Sequence, residues 1–164
     1  MKGEEFLRRV RKCQGPLFCF LLRLLKDEEE AKEIMQATLL RAWEGRDGFQ
    51  GRSQFKTWIF KIALNLFKDR LQERQRWQGG ELPEVAAPSD PLKEVIAKEE
   101  RQRLLQAIEG LPERQRTALL LKVYGELKYS EVAEVMGCST GAAKAHFHHA
   151  LYKLKEALRD RNGL

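Results

Sequence analysis

Residues 129–154, YSEVAEVMGCSTGAAKAHFHHALYKL, leave this chain few options. Val132, Ala133, Val135 and Met136 give a first short helix an apolar face. Gly137 follows, the residue that tolerates a left-handed turn, and Ser139 is a side chain suited to capping the next helix. In that helix Ala143, Phe147, Ala150, Leu151 and Leu154 fall on one face. Gly141, Lys144, Ala145, His148 and Tyr152 fall on the other. Two helices, a glycine turn, and small, basic and hydrogen-bonding groups on the outer face describe a helix-turn-helix able to enter a DNA groove. A plain helical hairpin has the same outline, so the rest of the chain must separate the two.

At 164 residues the chain can form one medium domain or two small helical ones. A formal charge of +6 and a pI near 9.3 favour polyanionic partners, though an ordinary soluble surface fits as well. Cys13, Cys19 and Cys138 are odd in number and lack the spacing of a disulfide framework; Cys13 and Cys19, set among apolar residues, are expected to be reduced core thiols. The start, MKGEEFLRRVRK, has no apolar segment of a secretory signal. The apolar run 16–25 is too short to span a bilayer and is interrupted by Arg23. A cytoplasmic location is the expectation.

Taken in order, residues 4–25 carry apolar groups at helical intervals, with Gly15-Pro16 expected to break or kink the helix. Asp27 caps a second helix with Glu28, Glu29 and Glu30 in its first turn, where acidic groups suit the helix dipole; it runs to about Trp43. A glycine-punctuated loop, 44–53, carries Arg46, Phe49 and Arg52. A third helix runs from about Gln54 to Arg76, with Phe55, Trp58, Ile59, Ile62, Ala63, Leu66 and Phe67 inward. Its basic residues include Lys56, Lys61, Lys68 and Arg70. Aromatics interleaved with cations are what a melted nucleic acid needs, because rings stack on bases and cations hold phosphates. The same residues can also form a core with a solvated surface; Trp58 reads as core, and Phe49 fits either role.

In residues 77–90, WQGGELPEVAAPSD, glycines and prolines erase the periodicity, as in an interdomain linker. Asp90-Pro91 then opens a helix that Gly110 ends; Pro112 opens another that Gly125 stops, and the helix-turn-helix follows. The expected fold is all-α: two small helical domains, 1–76 and 91–164, joined by a flexible linker over 77–90.

At this point two separate stretches resemble one family, the sigma-70 transcription initiation factors, in their compact extracytoplasmic-function (ECF) group. AKEIMQATLLRAW (31–43), F-x-G-x-x-x-F-x-x-W-I (49–59) and I-A-x-N-x-x-x-D (62–69) resemble sigma region 2. LPERQRTALLLKVYGELKYSEVAEVMGCS (111–139) and the A-L-x-K-L close (150–154) resemble region 4. The resemblance implies that Glu33, Ile34, Gln36, Leu40, Arg41 and Trp43 form the surface for the β′ coiled coil of core RNA polymerase. It implies that the loop of residues 49–53 captures an extruded base of the −10 element. Arg46, Phe49, Arg52, Lys56, Lys61, Asn65, Lys68 and Arg70 would then serve −10 DNA. Ser139, Thr140, Gly141, Lys144, Ala145 and His148 would serve the −35 major groove.

The partners implied are core polymerase (β′ coiled coil and β flap), promoter DNA and an anti-sigma factor. The chain departs from the usual pattern in the core-binding helix, with Lys32-Glu33 for an acidic pair and Ala37 for a glutamate. It also departs at Gln72, and at Ala142, Ala143, Lys144, Ala145 and His146 in the recognition helix, which implies unusual −35 readout.

An operator-binding regulator would explain residues 129–154 but not the pattern of 49–76. An enzyme is disfavoured: there is no glycine-rich phosphate loop, no HExxH and no nucleophile with a partner set. His146, His148 and His149 lie near Cys138 in sequence, but structural zinc needs a complete four-ligand set, so neither metal nor cofactor is expected. His148 is expected to face DNA, where protonation would add phosphate attraction.

Overall fold

The computed structural model describes residues 1–76 and 95–159, without the side chains of 76 and 95–97. The regular elements among the described residues are all helices: α1 (Gly3–Leu25), α2 (Glu28–Gly45), a 3-10 turn (Arg46–Gly48), α3 (Phe55–Arg76), α4 (Val95–Glu109), α5 (Glu113–Val123), α6 (Tyr129–Met136) and α7 (Thr140–Arg159). The expected linker and the residues before Val95 lie outside the described residues.

In the N-terminal unit α2 packs on α1 and α3. Asp27 starts α2 as its sequence demands, accepting hydrogen bonds from the backbone N–H groups of Glu29 (2.9 Å) and Glu30 (3.2 Å). Ala31, Ile34, Thr38 and Ala42 bury one stripe of α2. Thr38 Oγ1 satisfies itself on the Ile34 carbonyl, so its burial strands no polar group.

A correction concerns Gly15-Pro16, where the interruption is not a break: α1 runs as one helix of 23 residues with Pro16 inside. Pro16 deprives the Lys12 carbonyl of its N–H donor. Cys13, Leu17, Phe20, Leu21 and Leu24 are all buried around it, and this packing holds the helix through the defect. A second correction concerns Cys19, which is exposed while Cys13 is buried. Six residues along a helix turn the side chain through about 600°, which leaves the two thiols about 120° apart, one on the core face and one off it.

In the C-terminal unit α7 packs against α4, α5 and α6. Gly125 after α5 is required by space: a Cβ there would come within 2.5 Å of the Leu121 carbonyl oxygen. Gly137 takes φ +70° to close α6, and Ser139 Oγ accepts from Ala142 N–H at 3.1 Å to open α7. The tight turn between them is the one the sequence specified.

The two units pack on each other, α6 against α3 and α5 against α1. Buried residues of both form one apolar cluster that runs from Phe20 and Leu64 to Leu120, Val132 and Val135. At the seam Thr57 Oγ1 donates to Glu131 Oε2, and Lys26 meets Glu109 at 3.7 Å. The second contact is half-exposed and contributes little.

Candidate nucleic-acid interface

The basic groups of α3 divide into two sets by helical angle. Lys61, Asn65 and Lys68, spaced i, i+4, i+7, share one exposed stripe. Lys56 and Arg70 lie on another stripe and are half-buried. Between the stripes run Thr57, Phe60 and Leu64, all buried. Phe60 packs against Phe20 at 5.3 Å, so α3 is covered along this side, while Lys61, Asn65 and Lys68 stay open.

Arg70 reaches back to α2, where its Nη1 donates to Glu33 Oε2 at 3.0 Å; Arg74 pairs with Glu30 beside it. Arg46 likewise turns from the loop to α2. Its guanidinium lies 3.7 Å from the Trp43 ring centroid, and Nη1 donates to the Trp43 carbonyl at 2.7 Å. Two residues expected at DNA thus touch two expected at polymerase. Lys56 lies close enough to buried Cys13 to pull its thiol pKa down, against the larger upward push of burial.

On α2, Leu40 is 59% exposed and Trp43 38%. Glu33, Gln36 and Arg41 are exposed beside them, whereas Ile34 is buried in the domain core, where a partner cannot touch it. Lys32 is anchored by Glu28 (3.3 Å) and Glu29 (3.7 Å), whose carboxylates raise its pKa.

Phe49 joins an aromatic group with Trp58 (4.9 Å, tilted) and Phe55 (6.0 Å, edge-on). Phe55 is buried, while Phe49 and Trp58 are partly buried against the core. Phe49 also lines an open depression of about 510 Å³ with Gly51, Arg52, Ser53, Gln54, Phe55 and Arg9 of α1. Gly51 holds φ +69° at its rim. The depression offers an apolar wall of two rings beside two guanidinium groups, the chemistry that accepts a planar heterocycle next to a phosphate.

On the outer face of α7, Ser139, Thr140, Gly141, Lys144, Ala145 and His148 are all exposed. Lys144 Nζ and the His148 ring lie 5.9 and 6.2 Å from the Tyr129 ring at the start of α6. Lys122 Nζ sits 4.3 Å from the same ring. Among the described residues no group of three or more His, Cys, Asp or Glu side chains could hold a metal ion. Nor, among them, is any helix long and apolar enough to cross a membrane.

Residues 9–77 match the family described as Sigma-70 region 2, and residues 101–154 match Sigma-70, region 4. The ECF RNA polymerase sigma factor SigW of Bacillus subtilis is 30% identical over 97% of this chain and 92% of its own length. The chain belongs to the ECF sigma-70 family. The RNA polymerase sigma-H factor of Pseudomonas aeruginosa is 28% identical over 92% of this chain and 84% of its own. Among solved structures, the sigma factor RpoE of Bartonella quintana, in complex with the anti-sigma factor NepR, superposes with a TM-score of 0.81. It is 26% identical and covers 95% of this chain and 98% of that one. CnrH, in complex with the cytosolic domain of CnrY, shares the fold at TM-score 0.72 and 22% identity over 97% and 90%.

In this ECF sigma factor the family pattern located the loop, the exposed face of α2 and the outer face of α7. It did not point to Arg9, Lys122 or Tyr129. Arg9 lies outside the matching motifs, and Lys122 and Tyr129 lie within one without a residue type that marks them; tertiary packing brings each to its surface.

Proposed function

We propose that this ECF sigma factor binds core RNA polymerase through α2, through the exposed Glu33, Gln36, Leu40, Arg41 and Trp43. Ile34 supports that surface from within. Residues 1–76 act as the polymerase and −10 domain, 77–90 as linker and 91–164 as the −35 domain, with the β flap as a second polymerase contact. The protein works in the cytoplasm and performs no bond chemistry of its own.

Promoter opening is assigned to the loop and α3. Extruding a base costs a few kcal/mol of lost stacking, which the pocket beside Phe49 and the phosphate contacts of Arg52, Lys56, Lys61 and Lys68 offset. Asn65 lies on the same stripe as Lys61 and Lys68 and would read a base edge. Arg46 and Arg70 act first by fixing the loop and α3 to α2 and reach DNA from those anchored positions. Thr140, Gly141, Lys144, Ala145 and His148 enter the −35 major groove, where an alanine and a glycine allow close approach at the expense of hydrogen-bond readout. Ser139 opens that helix.

The observation that carries this reading is the presence, in one chain, of an open aromatic–basic pocket and a capped helix-turn-helix with an exposed basic face. An operator-binding regulator needs the second but not the first. Control by an anti-sigma factor is also proposed. Its target would be the apolar surface at Leu40 and Trp43, which polymerase would otherwise occupy.

The test is run-off transcription with bacterial core polymerase on a library of promoter fragments. Transcripts that start at fixed positions only when the protein is present are expected. Duplex DNA binding without polymerase binding or new start sites would leave an operator-binding regulator.

A further inference from the structure

The seam between the two units sets how far apart the DNA faces can stand. Thr57, Phe60 and Leu64 form one buried stripe of α3, and Thr57 bonds Glu131 in the first turn of α6. Val132 and Val135 of α6 are buried in the same apolar cluster. Elsewhere along the seam α1 meets α5, and Lys26 faces Glu109 at the end of α4. The helix that leads into the −35 face is thus fixed to the helix that carries the −10 face. Tyr129, in the same turn as Glu131, lies 5.9 Å from Lys144 Nζ, so the contact continues into α7. A compact chain of this length is about 40 Å across, which bounds the distance between the two faces. Neither face is covered: Lys61, Asn65 and Lys68 are exposed on α3, and Lys144 and His148 on α7. Leu40 and Trp43 of α2 are open as well.

We infer that this closed arrangement is autoinhibitory through distance: it leaves each recognition face open but keeps one molecule from engaging both promoter elements at once. The inference rests on the reading of α3 as the −10 face and α7 as the −35 face. Elements centred at −10 and −35 lie about 25 base pairs apart, roughly 85 Å of straight duplex. That is about twice the width of the closed chain. Two linked sites gain avidity only where both can be reached together, so both elements are held only after α6 leaves α3 and the units part. The residues between Arg76 and Val95 permit this, since fully extended they span about 60 Å. Parting exposes the α3 stripe and the valines of α6 to water, which is unfavourable. Core polymerase therefore has to bind the parted units better than the closed ones. Because the outer face of α2 is exposed in the closed form, polymerase can dock there first and opening can follow.

The experiment bridges the seam without touching either face. Lys26 and Glu109 are half-exposed. Lys26→Cys with Glu109→Cys, in the full-length protein carrying Cys19→Ser and Cys138→Ser, gives two thiols for a bis-maleimide with a reducible core, while Cys13 is buried away from the reagent. The bridge should form readily in the free protein and about tenfold more slowly once core polymerase is bound. The bridged protein should keep its affinity for core polymerase and for a −35 duplex. Its run-off from a fragment with both elements should fall about a hundredfold, the avidity lost when two linked sites cannot bind together, and cutting the bridge with reductant should restore it. Three results would overturn the inference: bridging at one rate with and without polymerase, undiminished run-off from the bridged protein, or loss of −35 duplex binding on bridging. The last would make the seam a cover over the DNA face. A protein that gives no start sites even unbridged removes the sigma-factor reading itself, a result distinct from all three.

Discussion

Thr57 Oγ1 donates a 2.9 Å hydrogen bond to Glu131 Oε2, tying α3 to α6 across 74 residues of sequence. Thr57 is fully buried, and its hydroxyl has this carboxylate as its partner between the two units. Valine at position 57 would keep the shape and leave the half-buried carboxylate unpaired, at a cost of roughly 1–3 kcal/mol. Thr57→Val is expected to loosen the two units, seen as a larger radius of gyration in small-angle scattering and faster amide exchange over residues 57–64. Scattering and exchange identical to the parent protein would mean that apolar contact alone holds the seam.

Leu40 projects from α2 with more than half its surface in water, so it can be changed without entering the core. Leu40→Asp should leave the thermal midpoint within about a degree or two, since surface changes are usually worth less than about 0.5 kcal/mol. Its affinity for core polymerase should fall by roughly thirty-fold, the loss expected of an interface anchor. Binding to −35 duplex DNA should not change. Undiminished polymerase affinity would move the contact elsewhere on α2, to the Glu33–Gln36 side.

What could be read in advance follows the range of each signal. Asp27, Gly137 and Ser139 act within one helical turn, so α2, α6 and α7 were placed by local chemistry. The apolar stripe from Phe55 to Phe67 likewise marked the domain-facing side of α3. Phe60 and Leu64 did not declare themselves, because a second stripe beside the first looks like an ordinary widening of one apolar face. Only the docking of α6 shows why Thr57 is buried with them. Cys19 faces water although its neighbours are apolar, because helical angle, not local composition, decides which thiol of α1 meets the core. Arg9 belongs to the pocket only after α1 and the loop meet, so no window of sequence contains both.

Lys144 stands on the exposed face of α7, with its ammonium 5.9 Å from the Tyr129 ring and no ion-pair partner among the described residues. Charges that neutralise phosphate release condensed counterions, and each makes affinity fall more steeply with salt. Lys144→Ala should therefore weaken binding to a −35 duplex at every sequence tested. It should also make the slope of log affinity against log salt shallower by about 1. A weaker complex with the parent slope would take Lys144 off the backbone and make it a base contact.

Cys13 provides a pH-dependent check of the N-terminal core. Burial pushes its thiol pKa up, partly opposed by nearby Lys56. In the unfolded chain the same thiol ionises at about 8.5. Above that pH the unfolded state has released a proton that the folded state still holds. Stability from this site is therefore complete below the unfolded pKa and is lost as pH rises toward the folded one, by at most about 1.4 kcal/mol per pH unit. Cys13→Ala removes the titration together with some packing. The stability gap between parent and variant, measured by urea unfolding, should be constant between pH 6.5 and 7.5 and shrink steadily toward pH 9.5 under reducing conditions. Iodoacetamide should meanwhile label exposed Cys19 quickly and Cys13 only on unfolding. A gap that stays level through pH 9.5, with both thiols labelled at one rate, would mean that α1 does not hold Cys13 away from water.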